Sequence, residues 1–112
     1  MVFRSIVIYR EAFLEFYQKQ EEKVQEKIDF VLDMVRHERH VPKKFFKLLQ
    51  NTDGIYEIRV ITAFKSIRIL CFLDEGNLVV LTNSFTKKTQ KTPRKEIRKA
   101  EKLKKEYHSE KN

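Results

Sequence analysis

Residues that break regular structure are nearly absent from this chain, which has two glycines and two prolines in 112 residues. So few leave no room for a glycine-rich phosphate loop or a proline-rich linker, and favour packed helices and strands over a disordered tail. Cysteine occurs once, at Cys71, which excludes an internal disulfide framework and a thiolate metal cluster and fits a reducing compartment. Tryptophan does not occur at all. Long apolar runs are also missing, so nothing approaches membrane-spanning length, and Arg4, Arg10 and Glu11 interrupt an N-terminus that would otherwise resemble a leader. The expected setting is the cytoplasm.

What is present is enough for one core, so residues 1–112 are expected to form a single domain. Nine phenylalanines head an aromatic share of 12%. The net charge is +8, and its placement matters more than its size: residues 1–84 hold 13 Lys/Arg against 12 Asp/Glu, residues 85–112 hold 11 against 4. The last quarter therefore carries nearly all the excess, which is the footprint of a polyanion partner, nucleic acid being the commonest. A solvated lysine-rich helix that only aids solubility is the plainer explanation.

Periodicity orders the elements. Val2 to Tyr9 alternates and is β-branched, hence a strand. From Arg10 to about Glu38 the period becomes helical, with Val24, Ile28, Val31 and Val35 at steps of four, three and four, and a break or bend near Gln18 to Glu21. Pro42 sits in a loop. Three strands follow, Ile55–Ile61, Ser66–Leu73 and Asn77–Asn83, joined as two hairpins, the second through Asp74-Glu75-Gly76. A helix from about Pro93 to His108, with Thr92 as its cap and a narrow apolar stripe, is expected to pack on an edge.

The simplest closure of the first hairpin sets Ile61 opposite Ser66, Ile58 opposite Ile69 and Tyr56 opposite Cys71 on a face that receives the two early helices. Closing the second with Leu73 against Leu78 puts Val80 beside Cys71 and Thr82 beside Ile69. On the opposite face Arg59 then lies across from Arg68 with Asn83 next in the row, while Ile55, Leu70, Phe72, Val79 and Leu81 fill the other end. Like charges opposed in a sheet repel, so the pair calls for an anion. Glu57, two residues from Arg59, would supply it in a structural ion pair; a bound phosphate would supply it in a functional cradle. Both readings stay open.

Ile55-Tyr56-Glu57-Ile58-Arg59-Val60, Ile67-Arg68-Ile69-Leu70 and above all the run from Leu81 through Phe85-Thr86-Lys87-Lys88-Thr89-Gln90-Lys91-Thr92-Pro93 resemble phage-derived HigB-like toxins of the RelE/ParE superfamily. The resemblance covers essentially the whole chain. It implies an α+β fold of order β-α-α-β-β-β-α, a small mostly antiparallel sheet with two N-terminal helices on one face and a C-terminal helix. It also implies a metal-independent endoribonuclease, without cofactor, that cuts messenger RNA on the ribosome and touches ribosomal RNA through its basic C-terminal region. A small helix-turn-helix antitoxin would neutralise it. Two alternatives are a ParE-like gyrase poison that cuts nothing and a nucleic-acid-binding module without activity.

Carried onto this sequence, the resemblance places Arg59, Arg68 and the stretch around Lys87, Lys88 and Lys91 at the scissile phosphate. Arg68 is expected to stabilise the transition state, Arg59 to bind an adjacent phosphate, and Lys87 or Lys88, crowded by cations, to act as general acid. Glu57 is the candidate base if it is not merely paired with Arg59. Asn83, Thr89, Gln90 and Lys91 complete the expected RNA contacts. Several relatives place a His or Tyr at the centre, whereas no His stands on these strands or in the loop after them, which leaves His108 and Tyr107 near the C-terminus as alternatives. His37 and His40 lack a third ligand and are expected to be solvated, and Cys71 to be core.

Overall fold

The computed structural model describes residues 2–111. Strand β1 (Ser5–Ile8) leads into helices α1 (Ala12–Gln18) and α2 (Glu22–His37); a short strand β2 (Phe46–Leu48) precedes β3 (Tyr56–Ile61) and β4 (Ser66–Asp74). A single 3-10 turn (Glu75–Asn77) joins β4 to β5 (Leu78–Thr86), and α3 (Arg94–Lys111) closes the chain. The sheet order is β1-β5-β4-β3-β2, antiparallel except for the parallel pairing of β1 with β5. This is the expected α+β architecture with one strand more. β2 is too short to leave a periodic signature, and it exists because Lys47 and Leu48 find partners in Glu57 and Tyr56.

Helices α1 and α2 cover one face. The four-three-four spacing of Val24, Ile28, Val31 and Val35 turns all four inward, against Ile58, Ile69, Cys71, Val79 and Leu81. The chain does break between Gln18 and Glu22, giving two helices. Arg4 ties the end of α2 to the first strand, its guanidinium donating to the carbonyls of Val35 at 3.0 Å and Glu38 at 2.8 Å, where a cation also complements the helix dipole. Cys71 is fully buried and its thiol pKa is pushed up by that burial, as befits a core residue.

Helix α3 lies on the other face, across β4 and β5 rather than on an edge. Its apolar stripe is narrow because only Ala100 and Tyr107 are needed to cover Leu70, Phe72 and Val80. Polar ties hold its length. The Tyr107 hydroxyl and Lys111 Nζ both donate to Asp74 Oδ2 at 2.7 Å, pulling that carboxyl well below its usual range. In the middle Lys104 Nζ donates to the Asp53 carbonyl at 2.7 Å.

The first hairpin has the expected register, with Ile61 facing Ser66, Ile58 facing Ile69, and Arg59 facing Arg68. The second does not. The turn, with Gly76 and Asn77 both at positive φ, closes Asp74 onto Leu78, so Phe72 faces Val80 and Cys71 faces Leu81. Val80 therefore lies under α3, and Val79 and Leu81 lie under α1 and α2, the reverse of the expectation. Farther along, Ile69 faces Ser84, so Leu70 opposes both Thr82 and Asn83 in a bulge. The Thr82 hydroxyl donates to the Leu70 carbonyl at 3.0 Å and Ser84 Oγ to that of Arg68 at 2.8 Å. The bulge carries β5 on to Thr86, three residues beyond the expected end, and brings Phe85 rather than Asn83 opposite Arg68.

Candidate functional site

Three consecutive cross-strand pairs on the α3 face of β3 and β4 build the site: Glu57 with Leu70, Arg59 with Arg68, Ile61 with Ser66. Glu57 is completely buried. Its Oε1 accepts from Arg59 Nε at 3.0 Å and lies 3.4 Å from Arg68 Nε; its Oε2 accepts from the Thr92 hydroxyl. One carboxylate thus holds both guanidinium groups by their inner nitrogens. Arg68 spends Nη1 on Ser66 Oγ at 2.9 Å and on the Ile67 carbonyl at 3.2 Å. Among the described residues no hydrogen bond claims its Nη2, or either terminal nitrogen of Arg59.

Lys87 enters from β5. Its backbone N–H donates to the Ser66 carbonyl at 2.7 Å, continuing the ladder one step past Thr86 and setting its side chain beside the arginines. The loop after it completes an open groove of about 630 Å³, lined by Arg59, Ser66, Arg68, Lys87, Lys88, Thr89 and Gln90. Four cations stand there against the single Glu57 carboxylate. Burial and mutual repulsion act on the members of this cluster. Burial, opposed by Glu57 and reinforced by Arg59, lowers the Arg68 pKa. Burial and then the Arg68 charge lower that of Lys87, opposed by Glu57, with smaller lowering contributions from Arg59 and Lys47. An anion with several oxygens, such as a phosphodiester, matches this lining.

A family model described as Phage derived protein Gp49-like (DUF891) matches residues 15–105. The chain belongs to that family. No curated protein matches it. Every side chain that lines the groove of this Gp49-like protein, and every one that supports it, falls inside the matched segment.

Of the expected residues, Arg59, Arg68, Lys87, Lys88, Thr89 and Gln90 come together at the groove. Glu57 does not reach it: the structural reading of Glu57 prevails, because both oxygens are engaged beneath the arginines and no surface is left for a substrate hydroxyl. Asn83 is also displaced. The bulge turns it toward α3, where its amide donates to the Glu96 carbonyl at 3.1 Å and to Glu96 Oε1 at 3.0 Å. Lys91 is exposed and outside the lining. Tyr107 and His108 are spent toward the other end of β4, on Asp74 and on the Phe72 ring, six and four residues and so about 20 Å and 13 Å from Arg68. His37 Nδ1 sits 3.0 Å from the Asp33 carbonyl at the end of α2. Among the described residues no three His, Cys, Asp or Glu side chains are grouped to hold a metal ion.

Two further residues contribute. Ser66 orients Arg68, and its place two residues away on the same face of a strand was visible in the alternation. Thr92, expected as a helix cap, gives its hydroxyl to Glu57 instead, while the Pro93 carbonyl accepts the first bonds of α3.

Proposed function

We propose that this Gp49-like protein is the toxin of a type II toxin-antitoxin pair, of the RelE/HigB kind, and that it cuts messenger RNA on the ribosome. The observation that carries this reading is the convergence of Arg59, Arg68, Lys87 and Lys88 on one open groove with their donors facing outward. A gyrase poison, which binds a protein, has no use for such a phosphate cradle.

In this reading the 2′-hydroxyl attacks the neighbouring phosphorus, the bond to the 5′-oxygen breaks, and a 2′,3′-cyclic phosphate remains. Arg68 Nη2 and the terminal nitrogens of Arg59 meet the charge that grows on the phosphoryl oxygens. Lys87, whose partial burial and cationic neighbours make its proton easier to give up, donates to the departing 5′-oxygen. The groove lining has neither carboxylate nor imidazole, so the 2′-hydroxyl proton leaves to water or to a group of the ribosome. A base supplied by the ribosome would make cleavage depend on it.

The exposed face of α3 supports contact with ribosomal RNA. Arg94, Lys95, Arg98, Lys99, Lys102 and Lys105 all face solvent, and none is ion-paired among the described residues. A small helix-turn-helix antitoxin is the proposed inhibitor and the cytoplasm the proposed setting. No helix among the described residues is long and apolar enough to cross a membrane.

Translating ribosomes incubated with the purified chain test the proposal. Codon-phased cuts ending in 2′,3′-cyclic phosphate are expected. Intact message together with inhibited DNA supercoiling would replace the reading by the ParE-like one, and neither effect would leave a binding module.

Lys87 gives a separate check on the electrostatics. In a chain carrying 13Cε-labelled lysine, with Lys87→Arg used to assign its signal, Lys87 is expected to titrate below the ordinary lysine value of 10.5. Arg68→Ala removes a neighbouring charge that disfavours the ammonium form, so the midpoint should rise. A midpoint at the ordinary value in both proteins would sink this account of burial and crowding.

A further inference from the structure

The tip of the β3–β4 hairpin presents Phe64, 98% exposed, the most exposed large apolar side chain among the described residues. The turn that carries it is well tied. Thr62 N–H donates to the Lys65 carbonyl at 2.9 Å, and Thr62 Oγ1 accepts from the backbone of Phe64 at 3.3 Å and of Lys65 at 2.9 Å. Lys65 Nζ anchors the turn to α1's end by donating to Gln20 Oε1 at 2.9 Å. The ring is thus held out to solvent by an ordered backbone and packs on nothing.

Its place relative to the groove gives it meaning. Outward along the same face come buried Glu57, the opposed arginines, then Ser66 with Ile61, which is 51% exposed, and finally the tip. Phe64 is two residues from Ser66, about 7 Å along the chain. Phosphate donors give way to an apolar shelf within about two nucleotides, since Arg68 is four residues, about 13 Å along the chain, from Phe64. Single-stranded nucleic acid is bound by this combination of cations for the backbone and an aromatic face for an unstacked base. A protein partner would need more apolar surface than the tip offers, since Thr62, Ala63 and Lys65 flank the ring.

We propose that Phe64 stacks on an unpaired base of a single RNA strand whose phosphate lies between Arg59, Arg68 and Lys87, making the hairpin tip a base-binding subsite. The proposal rests on the reading of the groove as an RNA site. It makes the tip a contact for sequence preference, because purines offer a larger face than pyrimidines.

Because the chain contains no tryptophan, Phe64→Trp introduces a single reporter at the tip. Titrating the full chain with a short oligoadenylate should quench its emission, whereas inorganic polyphosphate, which has the charge but no bases, should not. Phe64→Leu, apolar but not flat, should bind a labelled oligoadenylate roughly 10-fold to 100-fold more weakly than wild type, and Phe64→Trp close to wild type. Emission indifferent to RNA, or Phe64→Leu binding RNA at full affinity, overturns the subsite; the second result combined with lost antitoxin binding would make the tip a protein contact. Message cleavage on ribosomes is scored in parallel. Cleavage without quenching removes the subsite alone; quenching without cleavage keeps the subsite and removes the nuclease reading.

Discussion

Arg68→Ala is expected to lower the rate of message cleavage about 10²-fold to 10³-fold and to abolish growth arrest, the usual consequence of removing one preorganised donor from a developing oxyanion. Arg68 is the more effective of the two arginines because its environment is the more restrictive. Its side chain is 8% exposed against 28% for Arg59, and Ser66 and the Ile67 carbonyl fix Nη1 so that Nη2 is aimed. The fold should survive. Glu57 keeps its closer partner, Arg59, at 3.0 Å, and the space vacated opens onto the groove, where water fills it. Arg68→Lys retains a charge but not the planar fork, and should recover only part of the rate. Cleavage at wild-type rate by a folded alanine variant would refute the assignment.

Glu57→Gln should cost more in stability than any other single change at the site. It preserves shape and can still accept from Thr92, but leaves Arg59, Arg68 and Lys87 facing one another with no counter-charge. Removing one partner of a buried ion pair costs about 3–5 kcal/mol; the water that reaches Arg59 argues for the lower figure. For a domain of this size that corresponds to a fall in Tm of roughly 10 °C or more, readable by circular dichroism. Inorganic phosphate should restore more stability to this variant than to wild type, because the anion replaces the missing charge where the cations meet. A Tm within about 2 °C of wild type would sink this account. The same variant separates the two roles weighed for Glu57. Assayed well below its Tm it should retain substantial cleavage, whereas loss of a true general base would remove about 10²-fold to 10⁴-fold.

The arginine pair was legible in the sequence because β3 and β4 alternate cleanly and are joined by a short hairpin, so a single register satisfies the apolar face. The second hairpin was less legible. The positive φ values at Gly76 and Asn77 let the turn close on Asp74 rather than Leu73, one residue shorter than expected, and the Thr82–Asn83 bulge is stabilised by contacts to Leu70 and α3 that no local pattern encodes. Asn83 was misplaced for that reason. Glu57 shows a different limit. Alternation assigns its face, but its burial depends on Thr92 and the loop after β5 folding back over it, a contact between residues far apart in sequence. Phe64 left no signal, since one aromatic residue in a turn looks like any other until its exposure is known.

The parallel pairing of β1 with β5 joins Ser5 to Leu78, and this bears on how the molecule is made. At ordinary elongation speeds of about 5–20 residues per second, the first strand waits roughly 4–15 s for the strand it pairs with. The wait is longer for the groove, whose Lys87 and whose Glu57-holding Thr92 emerge later still. A nascent chain therefore lacks both its completed sheet and its completed groove through most of its synthesis.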